Sequence, residues 1–161
     1  MRELPVTEVT EEALLGFNEA TNLELGVPGG GAVSSAADLA RFYQALLDDP
    51  GDVWARDVRL DGITEIRNRF PNEMGIPVNR TLGLVVAGDD GHSSLRGFGH
   101  TVSPAAFGHN GAGGQIAWAD PATGLSFAYL TNGLDRNVLR EWRRTSGIAS
   151  RAGLCAGNPV G

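Results

Sequence analysis

The sequence predicts an α+β fold, with antiparallel strands flanked by helices, and three segments carry that prediction. Residues 107–133 read FGHNGAGGQIAWADPATGLSFAYLTNG. Ile116 and Trp118 alternate with Ala117 and Ala119, and Leu125, Phe127 and Tyr129 alternate with Ser126, Ala128 and Leu130, the period of paired strands. Asp120-Pro121-Ala122-Thr123-Gly124 between them offers Pro to start a turn and Gly to close it, so the pair reads as a β-hairpin. Residues 35–47 form the second segment, with Ser35 as N-cap, Asp38 in the first turn, and Leu39, Phe42, Leu46 and Leu47 as an apolar stripe. The third is LGLVVA at Leu82–Ala87, an apolar run short enough to be a buried strand.

The remaining elements follow in chain order. Residues 1–31 mix acidic residues with turn formers and end in Pro28-Gly29-Gly30-Gly31; a short helix over Glu11–Phe17 is expected, capped by Thr10. Asp48-Asp49-Pro50-Gly51 stops the 35–47 helix. Residues 52–80, rich in Asp, Arg and Asn with scattered single hydrophobes, match neither period. Gly88-Asp89-Asp90-Gly91 ends the 82–87 strand, and His92–Ala106 reads as a weak strand followed by a loop. A closing helix is expected from Asp135 to about Thr145, with Val138, Leu139 and Trp142 on one side. Residues 1–150 then form one domain and 151–161 a flexible tail. Both hairpin faces are apolar, which calls for cover on both sides, part of it from residues outside this chain.

Composition bounds the function. The 161 residues are 42% apolar and 20% charged, the balance of a water-soluble domain with its own core. A net charge of −6 offers no basic patch, so nucleic acid is not an expected partner. No apolar run reaches membrane-spanning length, and residues 1–20 lack the basic start and apolar block of a signal peptide; the default expectation is cytoplasmic. The single cysteine, Cys155, rules out an internal disulfide framework. All 13 basic residues are arginine, so every mechanism that needs a lysine of this chain is excluded.

Among candidate sites, Gly29–Gly31 before a helix could cradle a phosphate, but a preceding strand, the rest of the Walker pattern and its Lys are missing, which leaves a glycine-rich turn. His92, His100 and His109 lie eight and nine residues apart, with no Cys or paired carboxylate at metal spacing, so no metal is expected. A Gly-x-Ser-x-Gly elbow is absent. His109-Asn110-Gly111 stands out: at the entrance of the hairpin it can present a side chain and backbone N–H groups to a ligand.

These residues resemble a known family. PGGGAVSSAADLARFYQALL (Pro28 to Leu47) is similar to the Gly-Gly-x-x-Ser-x-x-Asp-Leu-Ala-x-Phe helix of the serine β-lactamase-like hydrolases, which include class C β-lactamases, related esterases and D-alanyl-D-alanine carboxypeptidases. LGLVV (Leu82 to Val86) resembles the strand that follows there. FGHNGAGGQIAWADPATGLSFAYLTN resembles the terminal strands, with His109-Asn110-Gly111 at the position of Lys-Thr-Gly or His-x-Gly. The resemblance implies a partial serine β-lactamase/transpeptidase-like fold, in which His109 faces the substrate carboxylate and the catalytic base. It places Asn110 at the variable, substrate-binding position, makes Gly111 a space for substrate, and makes the Ala112 N–H an oxyanion-hole donor. The family's nucleophile lies in Ser-x-x-Lys and its second base element in Tyr-x-Asn. With no lysine, and with neither Tyr43 nor Tyr129 followed by Asn two residues on, both elements are absent.

The resemblance therefore covers the C-terminal portion of such a domain. Two functions are expected from it. One is part of an acyl-enzyme hydrolase for an ester, amide or β-lactam, inactive alone and completed by an N-terminal half, with no cofactor. The other is a non-catalytic module whose open sheet takes a partner chain or a second copy of itself.

Overall fold

The computed structural model describes residues 10–156, which fall into two compact units divided after Ser35. In the first, α1 (Glu11–Gly16) starts where expected, with the Thr10 hydroxyl accepting from Ala13 N. A second helix, α2 (Ala20–Leu25), was not anticipated. The Gly29–Gly31 segment is a turn: Gly31 N donates to Val27 O at 2.8 Å, and the Phe17 ring lies against Gly30.

The second unit holds α3 (Ala36–Asp48), α4 (Arg56–Thr64), β1 (Val85–Val86), a 3-10 helix (Ser93–Arg96), β2 (Phe107–Asn110), β3 (Ile116–Asp120), β4 (Leu125–Tyr129) and α5 (Val138–Gly153). The strands form an antiparallel sheet in the order β1-β2-β3-β4. The expected hairpin is β3–β4, with Trp118 opposite Phe127 and Ala117 opposite Ala128. Its turn is closed by Gly124 N to Asp120 O at 2.9 Å, with Gly124 at φ 71°. The buried Asp120 carboxylate accepts from Ala122 N, Ser103 N and Ser103 Oγ, which ties the turn to the loop before β2.

β3 is buried along its whole length, and this chain covers both of its faces. Trp118 and Ile116 pack with Val85, Phe98 and Ala149 on one side. Ala117 and Ala119 pack with Phe107, Tyr43 and Ile63 on the other. β4, the outer strand, is only half-buried.

Several expectations are corrected. On α3 the buried aromatic is Tyr43, while Phe42 is 48% exposed and meets Trp54 edge-on. The strand expected over Leu82–Ala87 narrows to Val85–Val86, because Leu82 and Gly83 turn the chain between Thr81 and Leu84 (Thr81 N to Leu84 O, 2.9 Å). Between His92 and Ala106 stands the 3-10 helix in place of a strand. The closing helix runs to Gly153, eight residues past Thr145, so residues 151–153 of the expected tail are helical; residues 157–161 lie outside the described ones. Val138 and Leu139 are exposed, and the packed side of α5 is Trp142, Ser146 and Ala149. Small residues there let the helix approach the 99–101 loop, where Ser150 Oγ accepts from His100 N and Ser150 O from Thr101 Oγ1.

The segment 52–80, unassigned from sequence, contains α4 and an antiparallel ribbon. Arg80 and Asn68 exchange both backbone hydrogen bonds (2.9 and 3.0 Å), followed by Val78 N to Phe70 O and Asn72 N to Ile76 O. In the same register Pro71 faces Pro77, a pairing that requires no N–H from either residue and so suits two prolines. Arg80 also bridges Val85, so one cross-strand row runs Asn68, Arg80, Val85, Gly108, Trp118 and Phe127.

Candidate functional site

His109 and Asn110 end β2, paired with Ala117 and Ile116 on β3. Beyond them the chain leaves the ladder through a tight loop. Gly111 N donates to Gln115 O at 2.8 Å and Gly114 N to Gly111 O at 3.3 Å, while Gly113 and Gly114 take left-handed backbone at φ 80° and 89°. Gly111 and Ala112 are exposed. Among the described residues the Ala112 N–H has no acceptor. The loop rests on Gln115, whose Nε2 donates to Thr131 O, and on α5, where Glu141, Arg144 and Thr145 lie beside Gly114. Burial pushes the Glu141 carboxyl up. Asp135, just before α5, is held down at about 2, chiefly by the hydrogen bonds from Arg140.

The His109 ring is fixed at both nitrogens. Arg80 Nη1 lies 3.1 Å from Nε2, and Asn110 O lies 2.5 Å from Nδ1. A guanidinium can only donate and a carbonyl can only accept. Nε2 is therefore the acceptor of the Arg80 contact, and Nδ1 faces the Asn110 carbonyl. Arg80 gave no signal in the sequence, because nothing there paired residues 68–80 into a ribbon that ends beside His109.

All four sequence-derived site residues, His109, Asn110, Gly111 and Ala112, thus lie on one strand end and its loop. The other two histidines do not join them. His100 is exposed near α5, and His92 Nδ1 stands 3.6 Å from Asp90. Among the described residues no three His, Cys, Asp or Glu side chains converge as metal ligands would. No helix among them is long and apolar enough to cross a membrane. A separate cavity of about 340 Å³ is lined by Asn137, Leu139, Arg140 and Arg143 at the start of α5, with no residue of the 109–112 segment.

An antiparallel sheet with helices on both faces and a His-Asn-Gly strand end is the arrangement expected of a serine β-lactamase-like hydrolase. The model of the Beta-lactamase family matches residues 2–149, and the chain belongs to that family. It is 34% identical over 121 residues to the esterase/beta-lactamase LipL of Mycobacterium tuberculosis, an alignment that covers 72% of this chain and 26% of that protein. A beta-lactamase from Mycobacterium bovis has the same fold, with a TM-score of 0.58 and 26% identity over 78% of this chain and 47% of that one. The chain thus spans about a quarter of the curated relative and about half of the solved one.

Proposed function

We propose that this chain forms one wall of a serine-hydrolase active site that cleaves an ester, amide or β-lactam through an acyl-enzyme. The observation that carries the reading is the Ala112 N–H. It belongs to an exposed residue and has no acceptor among the described residues, one position after Gly111, where a tetrahedral oxyanion needs a preorganised donor. His109 is the polar group on the substrate side, Asn110 contacts substrate, and Gly111 leaves room beside the strand. The nucleophile and base come from a segment with Ser-x-x-Lys and Tyr-x-Asn, since this chain has no lysine and no Tyr-x-Asn. A wall of donors without a nucleophile cannot form an acyl-enzyme, so the chain alone is inactive.

The test is hydrolysis of a p-nitrophenyl ester by this chain combined with an N-terminal segment that carries both motifs. Turnover is expected, and His109→Ala should lower it by about tenfold or more. An inert combination, or activity indifferent to His109→Ala, refutes the reading.

A second reading, a non-catalytic binding module, is favoured by one feature: β4 is an outer strand whose free edge can pair with another chain or a second copy. Gel filtration separates the two, because a monomer that stays monomeric with every candidate partner counts against the binding module.

A further inference from the structure

A backbone N–H serves an oxyanion best when it is already aimed before the reaction. The loop that carries Ala112 is poorly suited to that on its own: Gly111, Gly113 and Gly114 surround it, and the last two take positive φ. Glycine leaves a backbone its widest conformational freedom. Among the described residues the loop's main chain is tied by Gly111 N to Gln115 O at 2.8 Å and by Gly114 N to Gly111 O at 3.3 Å, and neither bond holds Ala112 or Gly113.

Gln115 supplies what the loop's backbone lacks. It stands directly before β3, and its main-chain carbonyl closes the base of the loop. Its side chain reaches past the end of β4, where Nε2 donates to Thr131 O at 2.9 Å. That bond fixes the amide and leaves Oε1 on the loop side. Oε1 lies 3.6 Å from where a Cβ on Gly111 would stand and 3.5 Å from the same point on Gly113, so the amide underlies both neighbours of Ala112. Oε1 is buried and takes no donor among the described residues. A buried acceptor without a donor is unfavourable, and a side chain free to turn would carry that oxygen to water. The bond to Thr131 prevents the turn. The support continues into the chain after β4, where Leu134 Cδ1 and Gly133 O stand 3.6 and 3.7 Å from the same Cβ point on Gly113.

We propose that Gln115 is the positioning residue of this loop, a bracket between the start of β3 and the end of β4 that keeps the Ala112 N–H in one direction. It touches no reacting atom and acts through Ala112. The proposal rests on the hydrolase reading for what the N–H binds, but the bracket is a property of the chain itself and its test needs no turnover.

The experiment measures ¹⁵N relaxation of the full labelled chain and compares the Ala112 amide with those of Trp118 and Phe127 on the hairpin. In the parent, Ala112 should show an order parameter of about 0.85, that of rigid backbone, and in Gln115→Met it should fall below about 0.6. Gln115→Glu has the same size but no N–H for Thr131 O, and it should loosen Ala112 as well. Trp118 and Phe127 should keep their parent values in both variants, which separates a loosened loop from a loosened sheet. An Ala112 amide already mobile in the parent overturns the proposal. So does one that stays rigid in both variants, or a loss of order shared equally by Trp118 and Phe127. Failure of the hydrolase reading would appear instead as an inert reconstituted enzyme in which Ala112 still depends on Gln115.

Discussion

Gly108 is the residue on which the position of His109 most depends. A Cβ there would stand 2.2 Å from Ala117 O and 2.6 Å from both Cα and Cβ of Trp118, all on the neighbouring strand. β2 and β3 would have to part by roughly 1 Å at a row buried on both sides, since carbon and oxygen do not approach closer than about 3.2 Å without strain. Overpacking of this kind costs about 1–3 kcal/mol, and each ladder hydrogen bond lost adds about 1 kcal/mol. With one bond broken, Gly108→Ala should destabilise by about 3 kcal/mol, which lowers Tm by about 6–12 °C at the 2–4 °C per kcal/mol of a chain this size. The assay is thermal unfolding followed by near-ultraviolet circular dichroism, to which the buried Trp118 contributes with Trp54 and Trp142. The control is Gly62→Ala on α4, where a Cβ meets nothing within 4 Å. It should stabilise by about 0.5–1 kcal/mol, because Ala has the better helix propensity. A Gly108→Ala variant that melts within about 2 °C of the parent would refute the close-approach argument.

Burial pushes the Tyr43 phenol up to about 12 from an ordinary 10.0, so the folded chain keeps a proton that the unfolded chain loses. The stabilisation from Tyr43 is complete below pH 10 and lost as pH rises from 10 to 12, a span of about 3 kcal/mol at 1.36 kcal/mol per unit. With no lysine to titrate in that window, urea unfolding from pH 9 to 12 should show the decline and Tyr43→Phe should flatten it; equal slopes would contradict the assignment. Arg96, 6% exposed, donates to Pro77 O, Ala87 O and both Asp90 oxygens, and these bonds hold the Asp90 carboxyl well below the usual range. Arg96→Met strands all of these acceptors and should cost about 3–5 kcal/mol in urea unfolding; a loss below about 1 kcal/mol would mean water replaces the guanidinium.

What the sequence revealed, and what it did not, follows from the range of the interactions. The β3–β4 hairpin was legible because strict alternation and Asp-Pro-Ala-Thr-Gly act within a dozen residues. Thr10 was legible as a cap for the same reason. The site triplet was legible as a motif, and its residues do lie together, but they are neighbours in the chain. Tyr43 and Phe42 were not separable, because adjacent positions both fall near the edge of an apolar stripe and only the sheet decides which one is covered. The extension of α5 to Gly153 was hidden because its packed side uses Ser146 and Ala149, small residues with little hydropathy signal, pressed against a loop some 50 residues earlier. The 68–80 ribbon was missed for a similar reason. Its strands are polar and irregular, and its mark is the pairing of Pro71 with Pro77, which only register discloses. Missing the ribbon meant missing Arg80.

The central claim is that the end of β2 is one wall of an acyl-transfer site, with Ala112 N–H as donor. Its most direct test is the steady-state rate of p-nitrophenyl ester hydrolysis by the chain together with an N-terminal segment carrying Ser-x-x-Lys and Tyr-x-Asn. The account predicts no turnover from either part alone, turnover from both, and a fall of about tenfold or more with His109→Ala. Hydrolysis by this chain alone, or none by the pair, would contradict it.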